Sequence, residues 1–174
     1  MFKRSLWCVV MFAALWVAAG SSVAYGQSDD QPVMINVKRL SLDTALSIAQ
    51  AAIKQCRAEG VQIAVTVVDR SGHPQVVLRD VLAMDITLDI SRQKAHTAMA
   101  FNAPTSALES RFEQPFSVAK VDGILPAAGG VPITAAGAIV GGVGVSGAPS
   151  GMTDEKCAQA GVDAVSMDLE MAGM

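Results

Sequence analysis

The sequence predicts an α/β (α+β) fold in which helices pack on a largely antiparallel sheet of five short strands. Three observations predict it. Apolar residues recur at helical spacing in long stretches near both ends and in the middle of the chain. Between them lie β-branched runs too short to be helices. Connections of hairpin length join these runs, and such connections favour antiparallel pairing. The order is helix, two strands, helices, three strands, helix.

Ser41 is a good N-cap, with Asp43 in the first turn of the helix it opens. Leu42, Ala45, Leu46, Ala49, Ala52, Ile53 and Cys56 then form one apolar stripe, and Gly60 closes the helix. "VQIAVTVVD" (61–69) and "PQVVLRD" (74–80) read as two strands joined by "RSGH", a hairpin turn in which Gly72 can take positive φ. "DITLDISRQKAHTAMAFN" is helical and ends before Pro104, and a shorter helix follows around Ser106 to Phe112. "GILPAAGG", "VPITAA" and "AIVGGVGVSG" read as three strands joined by glycine turns. "TDEKCAQAGVDAV" closes the fold, with Thr153 as N-cap and Asp154 and Glu155 in its first turn.

The ends carry other signals. Lys3 and Arg4 precede an apolar run from Leu6 to Gly20, and "AYG" supplies the small residues of a cleavage site. Residues 1–26 therefore read as a signal peptide, and the mature chain as periplasmic or secreted, with no membrane contact after cleavage. Residues 27–38 read as a flexible lead-in, 39–168 as the domain and 169–174 as a tail. The mature part has 11 basic against 16 acidic residues, a net charge of −5, and keeps only Phe101, Phe112 and Phe116 as aromatics. Without a basic tract or a stacking platform, nucleic acid is not an expected partner.

"IVGGVGVSGAPSGMTD" contains Gly142, Gly144 and Gly147 at the G-x-G-x-x-G spacing of a dinucleotide-binding turn. "APSGM" intervenes before the expected helix, and no later strand completes a βαβ unit. The small residues Gly141, Gly142 and Gly144 are better explained as a place where a helix or a second subunit approaches the strand backbone.

"VTVVDRSGHPQVVLRD", "SRQKAHTAMAF", "AAGGVPI" and "IVGGVGVSGAPSGMTDEKCAQAG" occur here in the order in which the GlcG/HbpS-like family has such stretches. The chain resembles that family from about Leu40 to Val165. The family is also described as haem-binding or haem-degrading, and it is similar to the C-terminal domain of PduO-type proteins. The resemblance implies a profilin-like domain with a five-stranded antiparallel sheet, and homo-oligomers that are octameric in some members. It also implies haem binding in exported redox-sensing proteins, while other members sit in glycolate-type operons.

The residues offer a haem few ligands. Iron is held by His, Met, Cys or Tyr, and the mature part has no Tyr. His73 at the hairpin tip reads as a solvated turn residue or a ligand. His96 lies on a polar helix face with Asp89 and Gln93, and is the better-positioned ligand of the two. Lys94 falls on the face of Ile90, Thr97 and Phe101, which turns inward. It can pair with a carboxylate such as Asp69 or Asp80, or meet an anion such as a haem propionate. Arg79 has the same ambiguity. The amides of Gly129 and Gly130 can cradle a carboxylate or simply form a tight turn. Met167 and Met171 in the tail suit core packing or a subunit contact.

Two functions follow. One is an exported haem-binding protein that stores, senses or buffers the cofactor. The other is an enzyme or accessory protein for a small hydroxy or keto acid, with Lys94, Arg79 and the Gly129-Gly130 turn on the carboxylate and His96 as acid or base. A binding role is favoured over catalysis, because no Ser-His-Asp order, metal cluster or phosphate loop is present in the sequence. A homo-oligomer is expected, since a small domain with glycine-faced strands gains by burying surface against copies of itself. Cys56 and Cys157 are expected to form a disulfide: the C-terminal end of the first helix meets the N-terminal end of the last if both cover one sheet face. The alternative is two buried thiols.

Overall fold

The computed structural model describes residues 32–113, residue 115 and residues 118–173. The signal peptide expected over residues 1–26 lies outside them. Residues 32–36 are exposed and without regular structure. Val37–Met174 forms one compact unit.

Helix α1 (Leu42–Ala58) is capped as its sequence predicts, the Ser41 hydroxyl accepting the Thr44 amide, and Gly60 follows with φ +76°. It buries Ala45, Ile48, Ala49, Ala52, Ile53 and Cys56. Leu42, read as part of the stripe, is the first residue of the helix and is exposed. Strands β1 (Ala64–Asp69) and β2 (Pro74–Arg79) form the expected hairpin. Helix α2 (Ile86–Phe101) follows and stops at Asn102 in the left-handed conformation. A 3-10 turn (Thr105–Leu108) runs into the short α3 (Glu109–Phe112). Strands β3 (Gly130–Ala135) and β4 (Ala138–Ser146), then α4 (Gly151–Asp163) and α5 (Ser166–Gly173), complete the chain.

All pairings are antiparallel and the order is β2-β1-β4-β3. Among the described residues the sheet therefore has four strands rather than five. Residues 123–128 do not pair because their donors are engaged elsewhere: the Leu125 amide donates to Thr97 Oγ1, the Ala128 amide to Glu109 Oε1, and Pro126 has no N–H. The helix expected from Thr153 opens three residues earlier. Ser150 is its N-cap, and its hydroxyl accepts the Thr153 amide at 3.1 Å. The tail continues as α5, where Leu169 is buried while Met167 and Met171 are exposed, so the methionines do not pack in this chain's core. Lys38 Nζ donates to the carbonyls of Ala172 and Gly173, favourable at a helix C-terminus.

Helices cover both sheet faces. On one, α1, α4 and α5 bury a core with Val65, Val67, Val131, Ile133, Val143 and Val145. Cys56 and Cys157 are both fully buried there and joined, with Cα atoms 5.5 Å apart. Small residues permit the approach: a Cβ on Gly161 would stand 2.7 Å from the Ile48 carbonyl and 3.3 Å from Ala52 Cβ. On the other face α2 lies against the glycines of β4. A Cβ on Gly142 would stand 2.4 Å from the Ala95 carbonyl, and one on Gly144 2.1 Å from that of Ser91. These two glycines of the G-x-G-x-x-G spacing are places of contact between a strand and a helix backbone.

Candidate functional site

Because α2 rests on glycine, a long side chain on its inner face runs along the sheet surface instead of into it. Lys94 does so and is 4% exposed. Its Nζ donates to Asp154 Oδ2 at 2.9 Å and to the Val145 carbonyl at 3.1 Å. Its partner is thus neither of the carboxylates foreseen. Asp69 pairs with Arg39 at 3.1 Å, and Asp80 is held by Arg57, whose Nε donates at 2.9 Å. Asp154 Oδ1 accepts the Ala148 amide at 2.9 Å. Burial is the largest influence on Asp154 and raises its pKa above the ordinary carboxyl value, against the opposing pull of Lys94 and the Ala148 and Gly147 amides.

The Gly129-Gly130 turn closes over this pair. Gly129 has φ +129°, and a Cβ there would stand 2.6 Å from Lys94 Nζ. Neither amide of the turn is free. The Gly129 amide donates to Glu155 Oε2 at 3.2 Å and the Gly130 amide to Thr105 Oγ1 at 2.8 Å. Glu155 also accepts the amide and hydroxyl of Ser106. One amide of the turn, that of Gly129, holds a carboxylate, and it is the chain's own. Asp154 and Glu155 therefore serve the loops, while Ser150 caps α4. Their place in the first turn suggested only a dipole role, which is why sequence reasoning passed over them.

A cavity of about 570 Å³ opens above the pair. Lys94, Asp154 and Ser146, each at least 95% buried, form its floor. Ile90, Leu125, Ala127 and Ala128 line its sides, and Met152 and Glu109 are exposed at its edge.

Lys94, Gly129 and Gly130 thus come together, and Arg79 and His96 lie elsewhere. Arg79 is exposed on β2, donates to the Ala83 carbonyl, and lines a separate cavity of about 410 Å³ with Arg57 and Asp80. The His96 ring is half-buried beneath the hairpin: a Cβ on Gly72 would stand 2.5 Å from its Cδ2. Its Nδ1 is buried and has no hydrogen-bond partner among the described residues. His73, at the hairpin tip, is exposed, with Nδ1 3.9 Å from Asp69 Oδ1. No cluster of three or more His, Cys, Asp or Glu suited to a metal occurs among the described residues. Among them, no helix is long and apolar enough to cross a membrane.

Asp69 organises that tip, since its Oδ1 accepts the amides of Ser71 at 2.8 Å and His73 at 3.0 Å. Burial pushes the carboxyl up, but the two amides, Arg39 and His73 outweigh it, and the pKa is lowered. A carboxyl lowered on folding stabilises the fold above its unfolded pKa of about 3.9, and this contribution is lost as pH falls through the folded value. Asp69→Asn is therefore expected to flatten the acid side of the stability curve. Urea midpoints of both proteins between pH 2 and 6 check this, and parallel curves would contradict it.

A fold of this order, with a buried lysine under a glycine turn, defines a small α+β domain, and no βαβ unit of a dinucleotide-binding fold occurs among the described residues. The chain belongs to the HbpS-like family, described as haem degrading protein HbpS-like, whose family model matches residues 40–163. Among solved structures, a double mutant of HbpS from Streptomyces reticuli is 41% identical, with a TM-score of 0.73 over 76% of this chain and 90% of that one. The Klebsiella pneumoniae protein ORFY is 26% identical, with a TM-score of 0.74 over 78% and 97%. A PduOC:haem complex is 26% identical, with a TM-score of 0.67 over 73% and 95%. Comparison with curated protein sequences finds no match.

Proposed function

We propose that this protein is an exported haem-binding protein that stores, senses or buffers the cofactor. The observation that carries the reading is membership of a family described as haem degrading, joined to the likeness over most of the domain to a PduOC:haem complex. Export rests on the N-terminal signal sequence, and the disulfide suits an oxidising compartment.

The chain's own donors narrow where iron can be held. Cys56 and Cys157 are joined to each other and supply no thiolate. A metal-bound imidazole ordinarily has its second nitrogen held by a carboxylate, carbonyl or water. His96 Nδ1 meets no carboxylate or carbonyl among the described residues, and the ring lies under Gly72. His73 fits better: its ring is open to solvent, and the Asp69 carboxylate lies 3.9 Å from Nδ1, near enough for its charge to act though beyond hydrogen-bond distance. Arg39, which bridges Asp69 and Ser71, supplies positive charge at the same tip for propionates. In this reading His73 would hold the iron beside the Asp69 charge, and haem when bound would supply the redox chemistry.

Titration with hemin tests it. A shifted Soret band at micromolar hemin is expected for wild type and His96→Ala, with at least about tenfold weaker binding for His73→Ala. No shift in wild type would remove the proposal, and loss only in His96→Ala would move the ligand to α2.

The protein is also proposed to self-associate. Val81, Leu82, Met84 and Ile86 follow one another closely in the chain and are 84%, 76%, 67% and 59% exposed. Exposed apolar residues gathered in this way mark an interaction surface. Light scattering is expected to give a multimer, and a strict monomer at tens of micromolar would refute it.

A further inference from the structure

We propose that the cavity over the Lys94–Asp154 pair binds a small neutral carbonyl compound: an amide, ketone or aldehyde on a short aliphatic body. The site is distinct from the hairpin tip and does not depend on haem binding there.

The polar groups on the floor set the chemistry. Both oxygens of Asp154 are occupied, one by Lys94 and one by the Ala148 amide. Lys94 Nζ has three protons and two acceptors among the described residues, so one N–H remains for a ligand. Ser146 is 5% exposed and lines the same cavity as Lys94, so its hydroxyl is open to that space. It lies two residues beyond Gly144 on β4, so it shares the face on which Gly144 meets α2. Its hydroxyl and the ammonium therefore face the same space. A hydroxyl and an ammonium that open to one cavity can both donate to a single acceptor oxygen, which has two lone pairs.

Charge and shape narrow the class. The ammonium is already neutralised by Asp154, and Glu109 stands at the cavity edge. Glu155 lies just behind the turn. An anion would meet three carboxylates and one cation, whereas a neutral carbonyl meets two donors without that repulsion. Ile90, Leu125, Ala127, Ala128 and Met152 then suit an apolar body.

Nuclear magnetic resonance of the ¹⁵N-labelled, disulfide-bonded protein tests the proposal with three probes of one shape: pentanamide, pentan-2-one and pentanoate. Pentanamide and pentan-2-one are expected to shift the amides of Gly129, Ser146 and Gly151 saturably, with dissociation constants on the order of millimolar, as befits ligands of this size. Ser146→Ala is expected to weaken pentanamide about fivefold while leaving the melting temperature near that of wild type. Ala127→Trp, which fills the cavity from its side, is expected to abolish the shifts. Pentanoate binding as tightly as pentanamide would make this an anion site and overturn the assignment. So would unchanged binding in Ser146→Ala, or no saturable shift with any probe.

Discussion

Lys94→Met lowers stability by about 3–5 kcal/mol, the largest single-residue effect expected in this protein. The change removes the ammonium and leaves Asp154, 3% exposed, with only its amide partners. Burial already raises that carboxyl, and losing Lys94 removes the main force opposing the rise. Asp154 then favours its protonated form in the folded state. A carboxyl raised on folding contributes stability below its unfolded pKa, and that contribution is lost as pH rises through the folded value. The variant should therefore be most stable in acid and weaken towards neutrality. The double variant Lys94→Met/Asp154→Leu removes both charges and should recover much of the loss. Urea unfolding of wild type, both single variants and the double variant at pH 5 and pH 8 measures the coupling. Additive losses would show that the 2.9 Å contact carries no interaction energy.

Reduction of the Cys56–Cys157 bond, or replacement of both residues by alanine, is expected to cost about 2–5 kcal/mol. The residues are 101 positions apart, and the chain-entropy treatment gives about 4.7 kcal/mol for a loop of about that length. Both sulfurs lie where α1 and α4 meet, so the alanine pair also leaves a small void in the core. Denaturant curves of the oxidised protein, the reduced protein and the double alanine variant separate the cross-link from the packing. Reduced and oxidised curves that coincide would show the cross-link to be energetically idle.

Much of the fold was legible because local rules and global packing agree in it. The stripe ending at Cys56 sits where the core is, the hairpin turns at Gly72, and the small residues of α1 and α4 allow the disulfide. The exceptions turn on which side chain takes a given partner, and that choice is made in three dimensions. Residues 123–128 look like a strand, yet Thr97 and Glu109 take the donors a strand would use. "PSGMTD" holds two hydroxyl residues that can cap a helix, and the hydrogen-bonding itself selects Ser150. Lys94 was legible as an inward lysine, but its partner was not. Choosing Asp154 over Asp69 and Asp80 requires knowing that Arg39 and Arg57 already hold the other two. The roles of Ser146 and Glu155 depend on which face of β4 meets α2 and on where the 105–109 segment lies, and no local pattern states either.

The two faces of β4 impose different tolerances on change. Val143 and Val145 look toward α1 and α4, where a methyl gained or lost can be absorbed by neighbouring side chains. Gly142 and Gly144 look toward α2, where main chain meets main chain and nothing between them can adjust. Helix α2 is thus registered against the sheet as on a machined datum, and the Lys94 ammonium inherits that register through its contact with the Val145 carbonyl. Sequence drift among the core valines should leave the cavity floor where it is. One added methyl at Gly144 would stand 2.1 Å from the Ser91 carbonyl and 2.5 Å from the Ala95 nitrogen, and so would lift α2 and carry Lys94 away from both of its acceptors.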